Sequence, residues 1–221
     1  MSKGKVIVVE GSCDGIGKTT QYNLLKDHLE RDGERVISHH FPSYNTEQGK
    51  LVEMYLSGEL GKISELSPYF INCLYAVDRA VTWNKELKDN YEESKTLLFD
   101  RYTTSSILYQ ASTIENLDER KRFIEFVCDY EYNKLGIKEP DNVIFLHAPF
   151  EVIENLRSKR TENEGISNDI HERDRHFLKK VYDNSMFVAN FLNWDMIDCS
   201  KDGSMLPIEE IHEKVYSKVK K

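Results

Sequence analysis

A three-layer α/β domain built on a five-stranded parallel sheet is the fold class that the 221-residue sequence predicts, and three observations carry it. Short aliphatic runs recur along the chain with their apolar residues side by side rather than alternating, as in strands covered on both faces. Longer segments of helical periodicity separate these runs, so strand and helix alternate in the manner of right-handed β-α-β crossovers. A glycine-rich loop joins the first run to the first helical segment, the junction at which such folds hold phosphates.

Lys5–Glu10 reads as the first strand. The helix after it covers about Lys18–Arg31 and stops near Gly33, a residue suited to close a helix in the left-handed conformation. Arg35–His39 is the second strand, and helical patterns follow at about Thr46–Ser57 and Pro68–Tyr91. Thr96–Asp100 is the third strand, Leu117–Leu135 a helix and Asn142–His147 the fourth strand. Glu151–Arg160 and Asp169–Leu192 read as helices flanking Thr161–Asn168, a polar stretch that is either a surface loop or, given the bases Arg157, Lys159 and Arg160, part of a mobile lid over about 157–169. Asp195–Cys199 is the fifth strand, and the last helix, Ile208–Lys220, ends in lysines that its dipole favours. With no internal repeat or low-complexity linker, residues 1–221 read as one domain.

Composition narrows the function. A net charge of −8 argues against a general nucleic-acid binder, so an anionic substrate would need positive charge supplied locally. The four cysteines (Cys13, Cys73, Cys128, Cys199) form no CxxC pair, which is neither a zinc nor a disulfide pattern and suits a reducing compartment. The apolar run Val6–Val9 is too short for a signal peptide, and no stretch approaches the roughly 20 residues that span a bilayer. A soluble, cytoplasmic protein that does not engage membranes is the expectation. The segment HERDRH (171–176) suggests a zinc helix, but histidines five apart lie about 140° from each other around a helix and cannot share a metal. His39–His40 reads as strand-end chemistry rather than a ligand pair.

The loop itself is one residue too long. The phosphate-binding pattern places four residues between its first glycine and Gly-Lys-Thr, whereas five separate Gly11 from Gly17. From Asp14 onward the spacing is regular, so the extra residue reads as a bulge around Ser12–Cys13 ahead of a working loop. Its backbone at Gly11, Asp14, Gly15, Ile16, Gly17 and Thr20 would cradle phosphates, Lys18 would reach the β- and γ-phosphates of ATP, and Thr19 would ligate Mg²⁺. The third strand ends in Asp100–Arg101, which places a carboxylate to orient Mg²⁺-bound water and a guanidinium to clamp phosphate at the carboxyl edge of the sheet. Phosphoryl transfer needs in-line positioning and positive charge, which Lys18, Arg101, Mg²⁺ and a lid arginine would supply.

Taken in order, EG…DGIGKTTQ, FPSYNTEQGKLVEMYL, LYAVDRA, DRYTTSSILYQ, PDNVIFLHAP and RSKRTENEGISNDIHERDRHFLKKVY resemble the thymidylate kinases, which are P-loop nucleoside monophosphate kinases, over nearly the whole chain. The resemblance implies a P-loop kinase fold with a helical lid, transfer of the ATP γ-phosphate to dTMP giving dTDP, a Mg²⁺ cofactor and a homodimer through the long helices. It implies that Asp14 lies near the acceptor sugar and phosphate, and that Phe41, Pro42 and Tyr44 shape the nucleoside pocket. Tyr75 would stack on thymine, Arg79 would contact the base or the acceptor phosphate, Ser106 and Gln110 would bond the pyrimidine, and Tyr109 would crowd the sugar's 2′ position. One subgroup of the family carries arginine after the loop acid, where this chain has Gly15. Members without it take the catalytic arginine from the lid, which points to Arg160, with Arg157 and Arg173 as alternatives.

Two rivals stand beside this reading. A deoxynucleoside kinase shares the loop and fold but needs a general-base carboxylate at the 5′-hydroxyl, a part that Glu10 could play. A GTPase-like switch needs an Asn-Lys-x-Asp motif, and the sequence has none.

Overall fold

The central strand of the sheet is β1 (Lys5–Gly11), whose Val/Ile run is buried from Val6 onward. The computed structural model describes residues 3–164 and 175–220, and of residues 159–164 the backbone alone. α1 (Lys18–Arg31) leaves the loop after β1 and leads to β2 (Val36–His40). α2 (Lys50–Ser57) starts four residues later than its periodicity predicts, because Thr46 folds back to bond Ser43 O and Gly49 N in a turn. α3 (Pro68–Thr82) opens on the Ser67 cap with proline in its first turn, where no amide donor is missed.

The predicted helix to Tyr91 is interrupted: a π turn at Trp83–Leu87 separates α3 from α4 (Lys88–Glu92). β3 (Thr96–Asp100) has the predicted bounds. α5 (Thr103–Tyr109) was not predicted, and its run of threonine and serine explains why, since these residues favour turns over helix interiors. α6 (Leu117–Cys128) widens into a second π turn at Asp129–Lys134, with Leu135 N bonded to Tyr130 O. β4 (Asn142–His147) follows, then α7 (Phe150–Glu164), α8 (Arg175–Phe191) and β5 (Asp195–Asp198). A small hairpin of β6 (Ser200–Lys201) and β7 (Ser204–Met205), which periodicity did not signal, precedes α9 (Ile208–Val219).

The five strands pair in parallel in the order β2-β3-β1-β4-β5. Alternate residues face opposite layers. Ile7 and Val9 of β1 pack with Leu98, Ile144 and Leu146 under α1 and α9, while Val6 and Val8 face Leu97, Phe99, Trp83, Leu87 and Tyr91. On that second side Phe145 joins α5, α6 and α8 in a further apolar cluster. From β1 the chain goes out to β2 and β3 on one side, then to β4 on the other. The crevice at that reversal, beyond the carboxyl ends of β1 and β3, is where open α/β sheets bind ligands.

Candidate active site

Beyond β1 the extra loop residue is absorbed against the sheet. Gly11 sits opposite Leu146 of β4, and Ser12 N still donates to Leu146 O at 2.9 Å. Ser12 and Cys13 are buried. The Cys13 thiol is pushed up to about 12, by burial first and by the Asp14 carboxylate second. The expected irregularity therefore lies ahead of Asp14, and the loop from Asp14 to Thr20 keeps its regular length. Ile16 is a core side chain at 1 % exposure, so its backbone is what it can offer a phosphate. Thr19 and Thr20 are exposed at the start of α1.

Lys18, only 8 % exposed, forms an ion pair with Asp100 Oδ1. The other Asp100 oxygen takes His40 Nδ1 at 3.2 Å, while His39 turns instead to Ser43 Oγ. Burial would raise the Asp100 pKa, but the His40 hydrogen bond and the Lys18 charge outweigh it and hold the carboxyl far below the usual range. Burial and the Arg101 charge lower Lys18, with Asp100, Glu10 and Asp14 opposing. Thr19 and Asp100 offer hard oxygen donors. No group of three or more His, Cys, Asp or Glu among the described residues could cage a metal. A cation held partly by substrate phosphates, as Mg²⁺ is in kinases, fits that donor set.

Arg101 follows β3 with φ 68°, a left-handed conformation uncommon outside glycine. That sharp turn sends its side chain across to the loop. Nη2 bonds Asp14 Oδ1, Nη1 reaches Ser105 Oγ at 3.4 Å, and the guanidinium lies 5.5 Å from the Tyr109 ring centre. Tyr109 OH donates to Asp14 Oδ2 at 2.7 Å. Burial opposes ionisation of Asp14, but Arg101, Lys18 and Tyr109 win and keep its pKa below the ordinary value. A pocket opens beside this cluster.

Comparison with known proteins decides what this arrangement belongs to. Residues 9–215 match the family model described as thymidylate kinase. The chain belongs to the thymidylate kinase family. It is 32% identical to the thymidylate kinase of Campylobacter hominis, over 97% of this chain and 100% of that one. It is 31% identical to the probable thymidylate kinase of Caldivirga maquilingensis, over 87% and 84%. A solved thymidylate kinase structure from Candida albicans superposes with a TM-score of 0.73 at 22% identity, covering 100% of this chain and 93% of that one, which supports the α/β P-loop kinase fold. As a member of this family the chain is an enzyme, an ATP-using nucleoside monophosphate kinase. No helix among its described residues is long and apolar enough to cross a membrane.

All ten residues predicted around the acceptor line the pocket of this thymidylate kinase family member: Asp14, Phe41, Pro42, Tyr44, Tyr75, Arg79, Arg101, Ser106, Tyr109 and Gln110. Leu56, Tyr102 and Ser105 join them and were missed. Leu56 carried no signal beyond its place in a helix, and Tyr102 and Ser105 were hidden with α5. The Phe41–Pro42 peptide is cis, and the next residue is held by Ser43 N donating to the buried Asp78 at 2.8 Å. Asp78 and Arg79, though adjacent in sequence, diverge to different partners.

Arg79 departs from one of its two expected roles. It is 1 % exposed, and its fork is taken by Glu131, Nε to Oε2 at 2.6 Å and Nη2 to Oε1 at 2.7 Å. Nη2 also reaches Ser106 Oγ at 2.8 Å and Nη1 reaches Tyr102 O at 3.3 Å. A guanidinium so engaged cannot clamp a phosphate bidentately without breaking these bonds. Glu131 was missed, although a glutamate four residues after Val127 continues the apolar stripe of Phe123, Ile124 and Val127 and breaks its pattern.

Glu10 is wholly buried and accepts from Gly11 N at 3.1 Å, Thr104 Oγ1 at 3.0 Å and Ser105 Oγ at 2.6 Å. It anchors α5 to the loop and has no access to a substrate hydroxyl.

Of the candidate lid arginines, Arg173 and the Arg160 side chain lie outside the described residues, as do His171 of the rejected zinc segment and residues 165–169 of the expected lid. Arg157 is described. A Cβ added at Gly15, whose φ is 96°, would lie 2.5 Å from Arg157 Cγ. The Arg157 stem thus fills the space beside Gly15.

Proposed function

We propose that the chain transfers the γ-phosphoryl group of ATP to dTMP, giving dTDP and ADP. The observation that carries the acceptor assignment is the polar pair at the inner end of the apolar pocket. Gln110, 3 % exposed, has a buried Oε1 without a hydrogen-bond partner among the described residues, and Arg79 beside it retains an Nη1 hydrogen. An unmet acceptor next to a donor complements the N3–H and O4 edge of thymine, which cytosine does not present. Phe41 and Tyr75 supply the apolar walls for the ring, and Tyr109 closes the sugar end.

At the phosphate end Lys18 exchanges Asp100 for the β- and γ-phosphates of ATP, and the loop amides hold the oxygens. Thr19 and Asp100 are the residues that would hold Mg²⁺, which when bound supplies positive charge to the phosphates. Arg101, fastened by Asp14, faces the acceptor phosphate and aligns it with the donor. Arg157 brings lid charge to the loop at Gly15, and Arg160, three residues further along the chain, is the candidate for the transferring phosphoryl group. Residues 157–169 act as the lid of a single domain. Lys18, Arg101 and the lid arginines together stabilise the charge developing in transfer, with no need for a protein base. That suits the sealed position of Glu10 and disfavours the nucleoside-kinase reading.

We place the enzyme in the cytoplasm as a homodimer. Tyr69, Phe70 and Val77 of α3 and Phe126 of α6 form exposed apolar surface on the long helices, as a subunit contact requires.

Coupled ADP release across dTMP, dUMP, dCMP, the ribo analogue of dTMP, and thymidine tests the reading. dTMP should be the best acceptor, with dUMP weaker by about 1–3 kcal/mol for its missing methyl. Thymidine phosphorylated as efficiently as dTMP would replace this reading with a nucleoside kinase.

A further inference from the structure

Glu131 touches no substrate position, yet it is 0 % exposed in a stripe otherwise apolar, at the start of the π turn that ends α6. π turns are costly and tend to mark functional positions. Its two oxygens take Arg79 Nε and Nη2, and Oε2 also accepts from Thr103 Oγ1 at 3.0 Å. A guanidinium carries five N–H donors. Two of those on Arg79 go to Glu131, one to Ser106 Oγ and one to Tyr102 O. One hydrogen on Nη1 remains outside these bonds, and Arg79 lines the pocket.

We propose that Glu131 is a specificity-determining positioning residue: by taking up the fork and the charge of Arg79 it leaves that guanidinium a single free donor, in a neutral setting, at the acceptor pocket, which fits a pyrimidine carbonyl and not an anion. The proposal rests on the dTMP reading above and deepens it. Without Glu131 the guanidinium could rotate, present two donors and carry an unbalanced charge, and the edge it forms with Gln110 would lose its register. Thr103 holds the carboxylate in the plane that Arg79 needs. The residue acts through Arg79 and belongs to selection of the acceptor rather than to phosphoryl transfer.

Steady-state kinetics on three variants test it: Glu131→Gln, the double variant Arg79→Met with Glu131→Met, and Thr103→Val, with the KM for ATP as internal control. Glu131→Gln should raise the KM for dTMP about tenfold or more while kcat stays within about threefold, the signature of lost ground-state binding. Its preference for dTMP over dCMP in kcat/KM should fall about tenfold. The double variant removes charge and fork together, a replacement that buried pairs tolerate structurally, and should raise the KM for dTMP to a similar extent. If the double variant binds dTMP like wild type, Arg79 does not read the base and the acceptor reading at this end fails. If the double variant is impaired but Glu131→Gln is not, Arg79 reads the base unaided and only the role of Glu131 is overturned. Should Glu131→Gln not fold, Thr103→Val decides: a rise of about two- to fivefold in the KM for dTMP at unchanged kcat supports the proposal, and an unchanged KM overturns it.

Discussion

Tyr109 and Asp14 share a hydrogen bond of 2.7 Å from hydroxyl to Oδ2, while Arg101 holds Oδ1 of the same carboxylate. The tyrosine ring is thereby fixed against the pocket wall, 8 % exposed, rather than free to swing. Tyr109→Phe keeps the ring, and Tyr109→Ala removes it. Both should keep dTMP turnover within about tenfold, roughly 1.4 kcal/mol of barrier, since Arg101 still holds Asp14. Only the alanine variant should accept the ribo analogue of dTMP. If the phenylalanine variant accepts it equally, the hydroxyl and not the ring excludes the 2′-oxygen.

Lys18→Ala should abolish transfer and leave the fold intact. The lysine is nearly buried, but its ammonium meets Asp100 at the edge of the crevice, and His40 remains to bond that carboxylate. Retention of more than about a tenth of wild-type kcat, which is roughly 1.4 kcal/mol of barrier, would sink the phosphate-loop assignment. Circular dichroism on the same sample separates this from loss of folding.

Much of this site was legible because strand ends announce themselves. Asp100 and Arg101 close a β-branched and aliphatic run, and Gly-Lys-Thr follows another, so topology alone brings them to one edge. The bounds of β3 and β4 matched for the same reason. What escaped was set by tertiary contacts. α5 is stabilised by Thr104 and Ser105 bonding to Glu10, an interaction invisible to local propensity. The two π turns likewise left no signal, since Asp129–Lys134 has no composition distinct from an α-helix. Glu131 did leave a trace, as a charge where the stripe of α6 calls for an apolar side chain, and only the fold named Arg79 as its partner.

Arg157 and Arg160 should separate kinetically. Arg157 already lies beside Gly15, and its charge helps keep Asp14 ionised. Arg157→Ala should therefore raise the KM for ATP or dTMP as well as lower kcat. Arg160→Ala should lower kcat far more than it changes either KM if it acts on the transition state alone. If Arg160→Ala leaves kcat within about twofold and Arg157→Ala lowers it a hundredfold, roughly 2.7 kcal/mol, the catalytic lid arginine is Arg157.

Cys13, the neighbour of the loop acid, should be chemically silent in the native protein. Its thiol is 2 % exposed and pushed up to about 12, by burial and then by Asp14, so little thiolate forms at neutral pH. Thiol reagents at pH 7.5 should label it only after denaturation, as mass spectrometry of the labelled peptides would read. Rapid native labelling of Cys13 would mean that the extra loop residue is not packed against the sheet.

Acidification from pH 7.5 to 5 should destabilise the protein through its histidines. His39, His147 and His212 all have pKa values lowered from 6.5, by burial first in each case, and His212 also by the charge of His28, to which it is hydrogen-bonded at 2.9 Å between α9 and α1. A group whose pKa is lower in the folded state binds fewer protons there than in the unfolded chain. Its stabilising contribution is present above 6.5 and is lost as pH falls from 6.5 through the folded value. Asp14 and Asp100 are also lowered, but from 3.8, so their contributions persist across this window and are lost only in stronger acid. Tm should therefore fall between pH 7.5 and 5, at about 2–4 °C for each kcal/mol in a chain of this size. His212→Gln, which cannot acquire a proton, should show a smaller fall by the share of that one residue. A Tm that is flat or rises toward pH 5 would show that these histidines are not held neutral by the fold.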